Sequence, residues 1–251
     1  MYHALSVDGS VDVGQDPHYS LRSDSFDSHL RRCTAQRLAI TSARDWLAGS
    51  CEPAALISFD DGHISNFELA FPLLQARAAT ADFFVNSANV GRAGYASWHQ
   101  LREMADAGQS IQSHSHEHRY LTSLGRVELA EQLIRSREMI EAGVGHPVTL
   151  LAPPGGRMPR GLAAVARACG YQHILSSRPG RIVSPPAKIL PRMAVTASLD
   201  AATLDGWLGG DMATFAKAQL RYGVLAVMKR LFGDRGYEHL RRQFVGGPSE
   251  G

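Results

Sequence analysis

The stretch Ser58-Phe59-Asp60-Asp61-Gly62 follows the apolar run 54–57. An apolar run that leads into two carboxylates and a glycine predicts a buried strand ending at a functional edge. Neighbouring residues of a strand point to opposite sides, so Asp60 and Asp61 cannot do the same job. One carboxylate can turn toward a metal ion and the other toward water or substrate. An isolated Asp-Asp-Gly is more often a polar turn, but an exposed turn needs no apolar lead-in.

A histidine cluster, His114-Ser115-His116-Glu117-His118, follows a second short apolar segment, 110–113. His114 and His118 are spaced to share a helix face, whereas His114 and His116 would share a strand face. Histidine-rich hexapeptides are often adventitious surface sites. Here the cluster follows a predicted strand and lies downstream of two acids, which favours a metal site. Carboxylate oxygens and imidazole nitrogens suit a catalytic divalent metal with an open position, so a metal-dependent hydrolase is predicted.

The composition is that of an ordinary globular protein. At 251 residues, with 44% hydrophobic residues, the chain fits one large α/β domain. A formal net charge of +2 is too small to indicate a nucleic-acid partner. The three cysteines, Cys33, Cys51 and Cys169, are widely spaced, which argues against a disulfide framework or a thiolate zinc site. No secretory signal pattern or membrane-spanning run is visible in the sequence, so we expect a cytoplasmic protein.

Strand-like and helix-like segments alternate along the chain. Strands are predicted at 54–59, 81–85, 110–113, 148–152, 171–176 and 188–196, and helices at 26–36, 98–107, 124–142 and 161–169. Ser25 and Ser97 are predicted to cap the first two of these helices. The alternation predicts a mostly parallel α/β architecture, of which a barrel is one form. The Asp-Asp pair, His114 and the turn 153–156 all follow strands, where parallel folds place their sites.

Residues 200–251 have a different character. They are predicted to be helical over most of their length, and the segment is locally basic through Lys217, Arg221, Lys229, Arg230, Arg235, Arg241 and Arg242. We expect this extension to pack on the preceding domain or to form a homodimer contact. Peripheral contact with a membrane surface is the alternative, because basic amphipathic helices bind there.

The two motifs together resemble those of the polysaccharide deacetylases, also called the NodB homology or carbohydrate esterase family 4 enzymes. Residues 58–62 resemble the family's first motif, T/S-F-D-D-G, and His114-Ser115-x-x-His118 resembles its second. Residues 151–156, Leu-Ala-Pro-Pro-Gly-Gly, stand where the family has its third motif. The resemblance covers roughly residues 50–195. Met1-Tyr2-His3 is similar to the start of members encoded in exopolysaccharide-biosynthesis loci.

This resemblance implies a distorted (β/α)7-type barrel over residues 1–199, with the helical extension over 200–251. It implies that Asp61, His114 and His118 hold a divalent metal, with Zn²⁺ as first choice and Co²⁺, Ni²⁺ or Mn²⁺ as alternatives. Asp60 would be the general base. The backbone N–H of Gly155, which follows Pro154 in the third-motif turn, would bind the oxyanion.

The chain departs from the family pattern in three places. The arginine of the third motif is Ala152, its aromatic residue is Gly155, and the late L-x-H histidine has no clear match. We predict that Arg192, in Leu190-Pro191-Arg192, orients Asp60; a strand-end arginine in a surface ion pair is an equal alternative.

The missing general acid has three candidates. His3 is the first, and His63 and His173 are the weaker ones. Trp98, like Tyr95 and Tyr171, could stack on a sugar, although aromatic residues in helices are usually core.

The resulting functional hypothesis is removal of acetyl groups from N-acetylglucosamine-type residues of an exopolysaccharide, such as a biofilm or holdfast-like adhesin, or of a lipid-linked precursor. One alternative is a catalytically silent carbohydrate-binding or scaffold protein, because the third motif is altered. Another is an amidohydrolase-type barrel, which needs two further histidines where only His146, His173 and His239 remain.

Overall fold

The computed structural model describes residues 1–11, 16–49, 53–183 and 186–225. Its strands are β1 (Ala4–Ser6), β2 (Ser20–Arg22), β3 (Ala39–Thr41), β4 (Ala54–Leu56), β5 (Ser58–Phe59), β6 (Asp82–Val85), β7 (Ser110–Ser113), β8 (Leu150–Leu151), β9 (His173–Leu175) and β10 (Ile189–Leu190). Its helices are α1 (Ser23–Ala35), α2 (Ala43–Leu47), α3 (Phe71–Gln75), α4 (Trp98–Asp106), α5 (Arg126–Val144), α6 (Leu162–Ala168) and α7 (Ala201–Leu208). Residues 212–225 are also helical.

The main sheet has six strands in the order β10-β9-β8-β7-β6-β5, and every pairing is parallel. Residues 1–2 extend it beyond β5, because the backbone N–H of Tyr2 donates to Ser58 O at 2.7 Å. The chain after β10 also contacts this N-terminal segment, since Val195 N donates to Met1 O at 3.0 Å. The sheet therefore curls until its two edges approach, which confirms the predicted barrel-like α/β fold.

Stacked aromatic rings form the core under the first strand end. Phe59 lies parallel to Phe83, with ring centroids 5.1 Å apart, and Tyr2 stacks on Phe59 at 5.3 Å. Phe26 of α1 meets Phe59 edge-on at 5.3 Å. All four rings are buried. Because these contacts fix β5 and β6 from both sides, the chain leaves β5 in one defined direction.

Helix α1 buries Phe26, His29, Leu30 and Cys33, the face predicted from the spacing. Its predicted start was wrong. The helix begins at Ser23, and Ser25 lies inside its first turn instead of capping it. For α4 the prediction is confirmed: Ser97 Oγ accepts from Gln100 N, and Gln100 Oε1 accepts from Ser97 N, which is a capping box.

Two predicted elements have bounds that differ from the prediction. The strand predicted at 188–196 is only β10, because Pro191 has no N–H to continue the ladder. The helix predicted at 124–142 runs from 126 to 144, and it ends at Gly145 in the left-handed conformation with φ 78°. A separate turn of 3₁₀ helix, Leu121–Ser123, precedes it.

The described part of the extension packs on the barrel. Arg32 Nη1 of α1 contacts Asp205 Oδ2 of α7 at 2.5 Å, and Gln219 Nε2 donates to Pro179 O at 3.3 Å. The predicted basic residues from Lys229 onward lie outside the described residues. Within the part of the chain that the structure describes, none of the helices combines the length and apolarity that crossing a bilayer would require.

Candidate metal centre and active site

The predicted site residues meet at the carboxyl end of the sheet. Asp61 follows β5 and His114 follows β7, two strands that both pair with β6. Asp61 has φ 75° and Ser115 has φ 69°, a region that non-glycine residues rarely adopt. Gly62 also has a positive φ, and a Cβ there would lie 2.9 Å from Val85 Cγ1. The turn at residues 61–62 packs directly on β6, and the side chains of Asp61 and His114 lie over the strand ends.

Asp61, His114 and His118 form one cluster of ligand atoms. Asp61 Oδ1 lies 3.3 Å from His114 Nε2 and 3.2 Å from His118 Nε2, and the three ligand atoms all lie within 4.8 Å of one another. Asp61 Oδ1 is buried and has no hydrogen-bond partner among the described residues. A buried acceptor of this kind is costly unless a cation or proton satisfies it.

The hydrogen bond of His114 to the backbone is compatible with metal binding. His114 Nδ1 lies 2.7 Å from the carbonyl oxygen of Ala152, and a carbonyl can only accept, so Nδ1 carries the hydrogen. In the neutral imidazole, Nε2 then presents a lone pair toward Asp61 Oδ1. A divalent cation satisfies two acceptors that face each other, and a backbone carbonyl is a common partner for a metal-ligating histidine.

The two imidazoles also affect the ionisation of Asp61. Burial opposes ionisation of Asp61, but the imidazoles of His114 and His118 outweigh it and hold the pKa of Asp61 well below its usual range. The same contact with Asp61 raises the pKa of His118. His116 lies outside the cluster, since its Nδ1 is 2.8 Å from Ser87 Oγ in a buried contact. The structure thus brings together two of the three histidines with one carboxylate.

Asp60 is engaged by Arg192 on both oxygens. Nη1 donates to Oδ1 at 2.7 Å and Nη2 donates to Oδ2 at 2.9 Å. Arg192 also donates from Nε to Ser176 O and from Nη1 to Ser58 Oγ, both at 3.2 Å. The two side chains are 4% and 5% exposed, so the alternative of a surface ion pair is wrong. This bidentate pair of hydrogen bonds, called the Arg192 fork below, holds the carboxylate of Asp60 in one orientation.

The guanidinium keeps Asp60 ionised. Burial alone would favour the neutral acid, but the charges of Arg192 and His114 outweigh it and lower the pKa of Asp60. The pairing depends on the curled sheet, because Asp60 leaves the β5 edge and Arg192 leaves the β10 edge. Ala152, which stands at the third-motif arginine position, contributes only its carbonyl oxygen to His114.

His3 lies beside both carboxylates. Its ring stacks on Tyr19 with centroids 4.4 Å apart, and its Nδ1 is buried with no hydrogen-bond partner among the described residues. Burial lowers the pKa of His3, and the nearby charges of Asp61 and Asp60 partly oppose that effect. His3 therefore lies next to the cluster and has a buried ring nitrogen for which the described part of the chain offers no hydrogen-bond partner.

The weaker acid candidates have structural partners. His63 Nδ1 accepts from Ser65 N at 3.1 Å and contacts Ser65 Oγ at 2.9 Å. His173 begins β9, at the opposite end of the sheet, and its Nδ1 contacts Ala187 O at 3.2 Å. Of the other histidines that the amidohydrolase alternative would need, His146 pairs with Asp106 at 3.5 Å and is not in the cluster, and His239 lies outside the described residues.

Trp98 packs against the core, so the predicted sugar-stacking role of its side chain is wrong. A Cβ on Gly143 would lie 2.2 Å from Trp98 Cε3, so the indole covers the last turns of α5 and packs against the core. Tyr171 is also core, because its hydroxyl donates to Leu133 O at 2.9 Å. Tyr95 lies nearer the site: burial and then the charge of Asp61 raise its pKa.

Two site residues have no counterpart in the sequence prediction. Asn86 follows β6, and its Nδ2 donates to His114 O at 2.5 Å, which fixes the loop of the first histidine. The position of Asn86, a polar residue directly after a buried strand, was the sequence signal that could have identified it. Tyr120 lies against Gly155, the position that lacks an aromatic residue, with a ring atom 2.5 Å from where a Cβ at 155 would stand. Sequence periodicity contains no signal for that contact.

Comparisons with known proteins agree with this geometry. The family model described as polysaccharide deacetylase matches residues 49–174, half of the chain. YxkH of Bacillus subtilis, which carries the name of a polysaccharide deacetylase, is 26% identical over 180 residues, covering 72% of this chain and 64% of YxkH. A peptidoglycan-N-acetylglucosamine deacetylase of Bacillus cereus is 29% identical over 133 residues, covering 53% of this chain and 60% of that protein. The chain thus spans somewhat less than two thirds of these relatives' length.

A solved structure gives the same result for the fold. The Streptococcus pyogenes deacetylase PplD, in complex with acetate, superposes with a TM-score of 0.72 at 19% identity. The match covers 79% of this chain and 92% of that one. With the half-chain family match and a shared barrel-like fold, the chain belongs to the polysaccharide deacetylase family.

Proposed function

We propose that this chain is a metal-dependent N-deacetylase that removes acetyl groups from N-acetylglucosamine-type residues of an exopolysaccharide or its precursor. The observation that carries the proposal is the buried Asp60–Arg192 pair next to the Asp61–His114–His118 cluster. One carboxylate is held as a base while the other belongs to a ligand set. The names of both Bacillus relatives support the deacetylation of a glycan, and the name of the Bacillus cereus relative supports N-acetylglucosamine as the acetylated sugar.

Asp61, His114 and His118 would hold the metal. A divalent cation bound there supplies Lewis-acid activation of a water molecule and of the acetyl carbonyl group. The chain's own contribution is orientation: the Ala152 carbonyl fixes the ring of His114, and Asn86 fixes its backbone. We propose Zn²⁺ as the resident ion, with Co²⁺, Ni²⁺ or Mn²⁺ able to replace it.

Asp60 would accept the proton of the attacking water. Its lowered pKa keeps it ionised, and the Arg192 fork prevents the carboxylate from rotating. General bases act through such fixed geometry. The backbone N–H of Gly155 is the proposed oxyanion donor, at the exposed side of the turn that follows Ala152.

His3 would deliver the proton to the leaving amine. Burial lowers its pKa, so the resting imidazole is neutral at neutral pH; it would take up the proton that Asp60 has removed from the attacking water and pass it to the amine. Its buried Nδ1, which has no hydrogen-bond partner among the residues that the structure describes, is an atom available for that transfer. Deacetylation would leave free amines on the glycan, and these would make it cationic and adhesive to acidic surfaces.

Cytoplasmic action on a lipid-linked precursor is a separate proposal. It is supported by the exposed Lys217 and Arg221 of the extension, because basic residues bind the anionic surface of a cytoplasmic leaflet. Fractionation of cells that express the tagged protein tests it, and recovery in the extracytoplasmic fraction would refute it.

Acetate release from N-acetylglucosamine oligomers tests the proposed reaction. Protein loaded with Zn²⁺ or Co²⁺ is compared with Asp60→Ala and His114→Ala, and His146→Ala is the matched control because that histidine is exposed and outside the cluster. We expect release by wild type and control and at least about a 100-fold loss in the two site variants. Oligomer binding without acetate release from any N-acetylated glycan would favour the silent scaffold instead.

A further inference from the structure

Tyr120 and Gly155 meet at the rim of the metal-ligand cluster. Tyr120 follows His118 by two residues, and Gly155 follows Ala152, the hydrogen-bond partner of His114, by three. Gly155 is exposed and Tyr120 is half-buried, so this contact lies at the surface of the site. An aromatic ring is therefore placed beside the turn whose N–H we propose as the oxyanion donor.

The contact explains why residue 155 is glycine. A Cβ at that position would stand 2.5 Å from Cε1 and 3.1 Å from Cδ1 of Tyr120, and real Cβ atoms do not approach a ring atom that closely. The φ of 61° at Gly155 also disfavours any side chain. The ring of Tyr120 thus fills the space that a side chain at 155 would need.

Arg157 braces the ring. Its guanidinium carbon lies 4.0 Å from the centroid of Tyr120, a cation–π contact from the same turn that carries Gly155. On the backbone, the carbonyl of Tyr120 accepts from Ser123 N at 2.9 Å and from Ser123 Oγ at 2.8 Å. The ring is held from the turn and from its own loop before any ligand arrives, which reduces the entropy cost of binding.

We propose that Tyr120, braced by Arg157, is the platform on which a pyranose ring of the substrate stacks next to the metal centre. The inference rests on the proposed function, and it deepens it by naming the group that holds the sugar. An aromatic face attracts the weakly positive C–H groups of a sugar ring, and ligand sites combine such apolar surfaces with a few placed polar groups. Tyr120 would fix the position of the sugar, while Asp60 acts on the water.

The test compares Tyr120→Ala with Tyr120→Phe, using metal-loaded protein and N-acetylglucosamine oligomers. We expect Tyr120→Ala to raise KM and weaken oligomer affinity, measured by calorimetry, by about ten-fold. Tyr120→Phe should stay close to wild type, because the ring face and not the hydroxyl makes the contact. Arg119→Ala is the matched control, since Arg119 is exposed and pairs with Glu128, away from the turn.

Gly155→Ala provides a second, independent variant. It should weaken oligomer affinity in the wild-type background, where the new Cβ displaces the ring, and much less in the Tyr120→Ala background. Wild-type KM and affinity in Tyr120→Ala would overturn the platform, as would equal losses in Tyr120→Phe. Absence of acetate release by the wild type itself would overturn the proposed function and this inference with it. Failure of the inference alone would instead show as an active wild type whose KM and oligomer affinity are unchanged in Tyr120→Ala.

Discussion

Replacing Arg192 by methionine tests the central contact of the site. The substitution keeps much of the side-chain volume but removes the guanidinium from Asp60, with which it makes hydrogen bonds of 2.7 and 2.9 Å. The carboxylate would stay buried without a cation, because its side chain is only 4% exposed. Breaking a buried pair by removing one partner costs about 3–5 kcal/mol in free energy of unfolding.

The expected loss is large enough to measure directly. For a domain of this size, about 3–5 kcal/mol corresponds to a fall in melting temperature of roughly 10 °C. Arg192→Lys keeps the charge but cannot form the fork or donate to both Ser176 O and Ser58 Oγ. We expect it to lose about 1–3 kcal/mol, between wild type and the methionine variant.

Urea unfolding followed by circular dichroism is the assay, with midpoints compared at constant slope. The double variant Arg192→Met/Asp60→Asn should be more stable than Arg192→Met alone, since it leaves no unpaired buried charge. The exposed pair Arg22–Asp24 is the control, and Arg22→Met should hardly move the midpoint. A loss below about 1 kcal/mol in Arg192→Met, or a double variant no better than the single one, would refute the reasoning.

Three further predictions concern other parts of the molecule. Asp61→Asn should weaken Zn²⁺ binding by more than about 100-fold, measured by equilibrium dialysis and elemental analysis; unchanged metal content would remove Asp61 from the ligand set. Burial raises the pKa of Asp82 to about 6, although Ala43 N donates to its carboxylate at 2.5 Å. The folded state therefore holds this proton more tightly than the unfolded chain, and stability is lost as pH rises from about 4 to about 6. Asp82→Asn should gain about 3 kcal/mol relative to wild type between pH 4 and pH 7 in urea titrations, and a pH-independent difference would contradict this. Ser97→Ala removes the capping box with Gln100 and should cost about 1 kcal/mol of stability, with Ser97→Asp retaining most of it; equal stability of wild type and Ser97→Ala would contradict it.

Local features of this protein were predictable from its sequence. The face that α1 buries, the helix cap at Ser97 and the strand ends that carry Asp60, Asp61 and His114 all follow from residue types and spacing over a few residues. Such patterns report burial and backbone geometry within one element. The cap predicted at Ser25 was wrong. Ser23, Asp24 and Ser25 are all possible first residues of a helix by type, and the packing of α1 selects Ser23.

The partners of these residues were decided by the tertiary structure. Asp60 and Arg192 are 132 positions apart and meet only because the sheet curls until β5 and β10 approach. The position of Trp98 in α4 was compatible with contact to a sugar or to the core. The close contact between its indole and Gly143 of α5 shows that it packs against the core. Side-chain periodicity determines which face of an element is buried, whereas strand order and curvature determine what that face meets. The sequence by itself therefore determined the chemical groups of the site, and the closure of the barrel decided which of them act together.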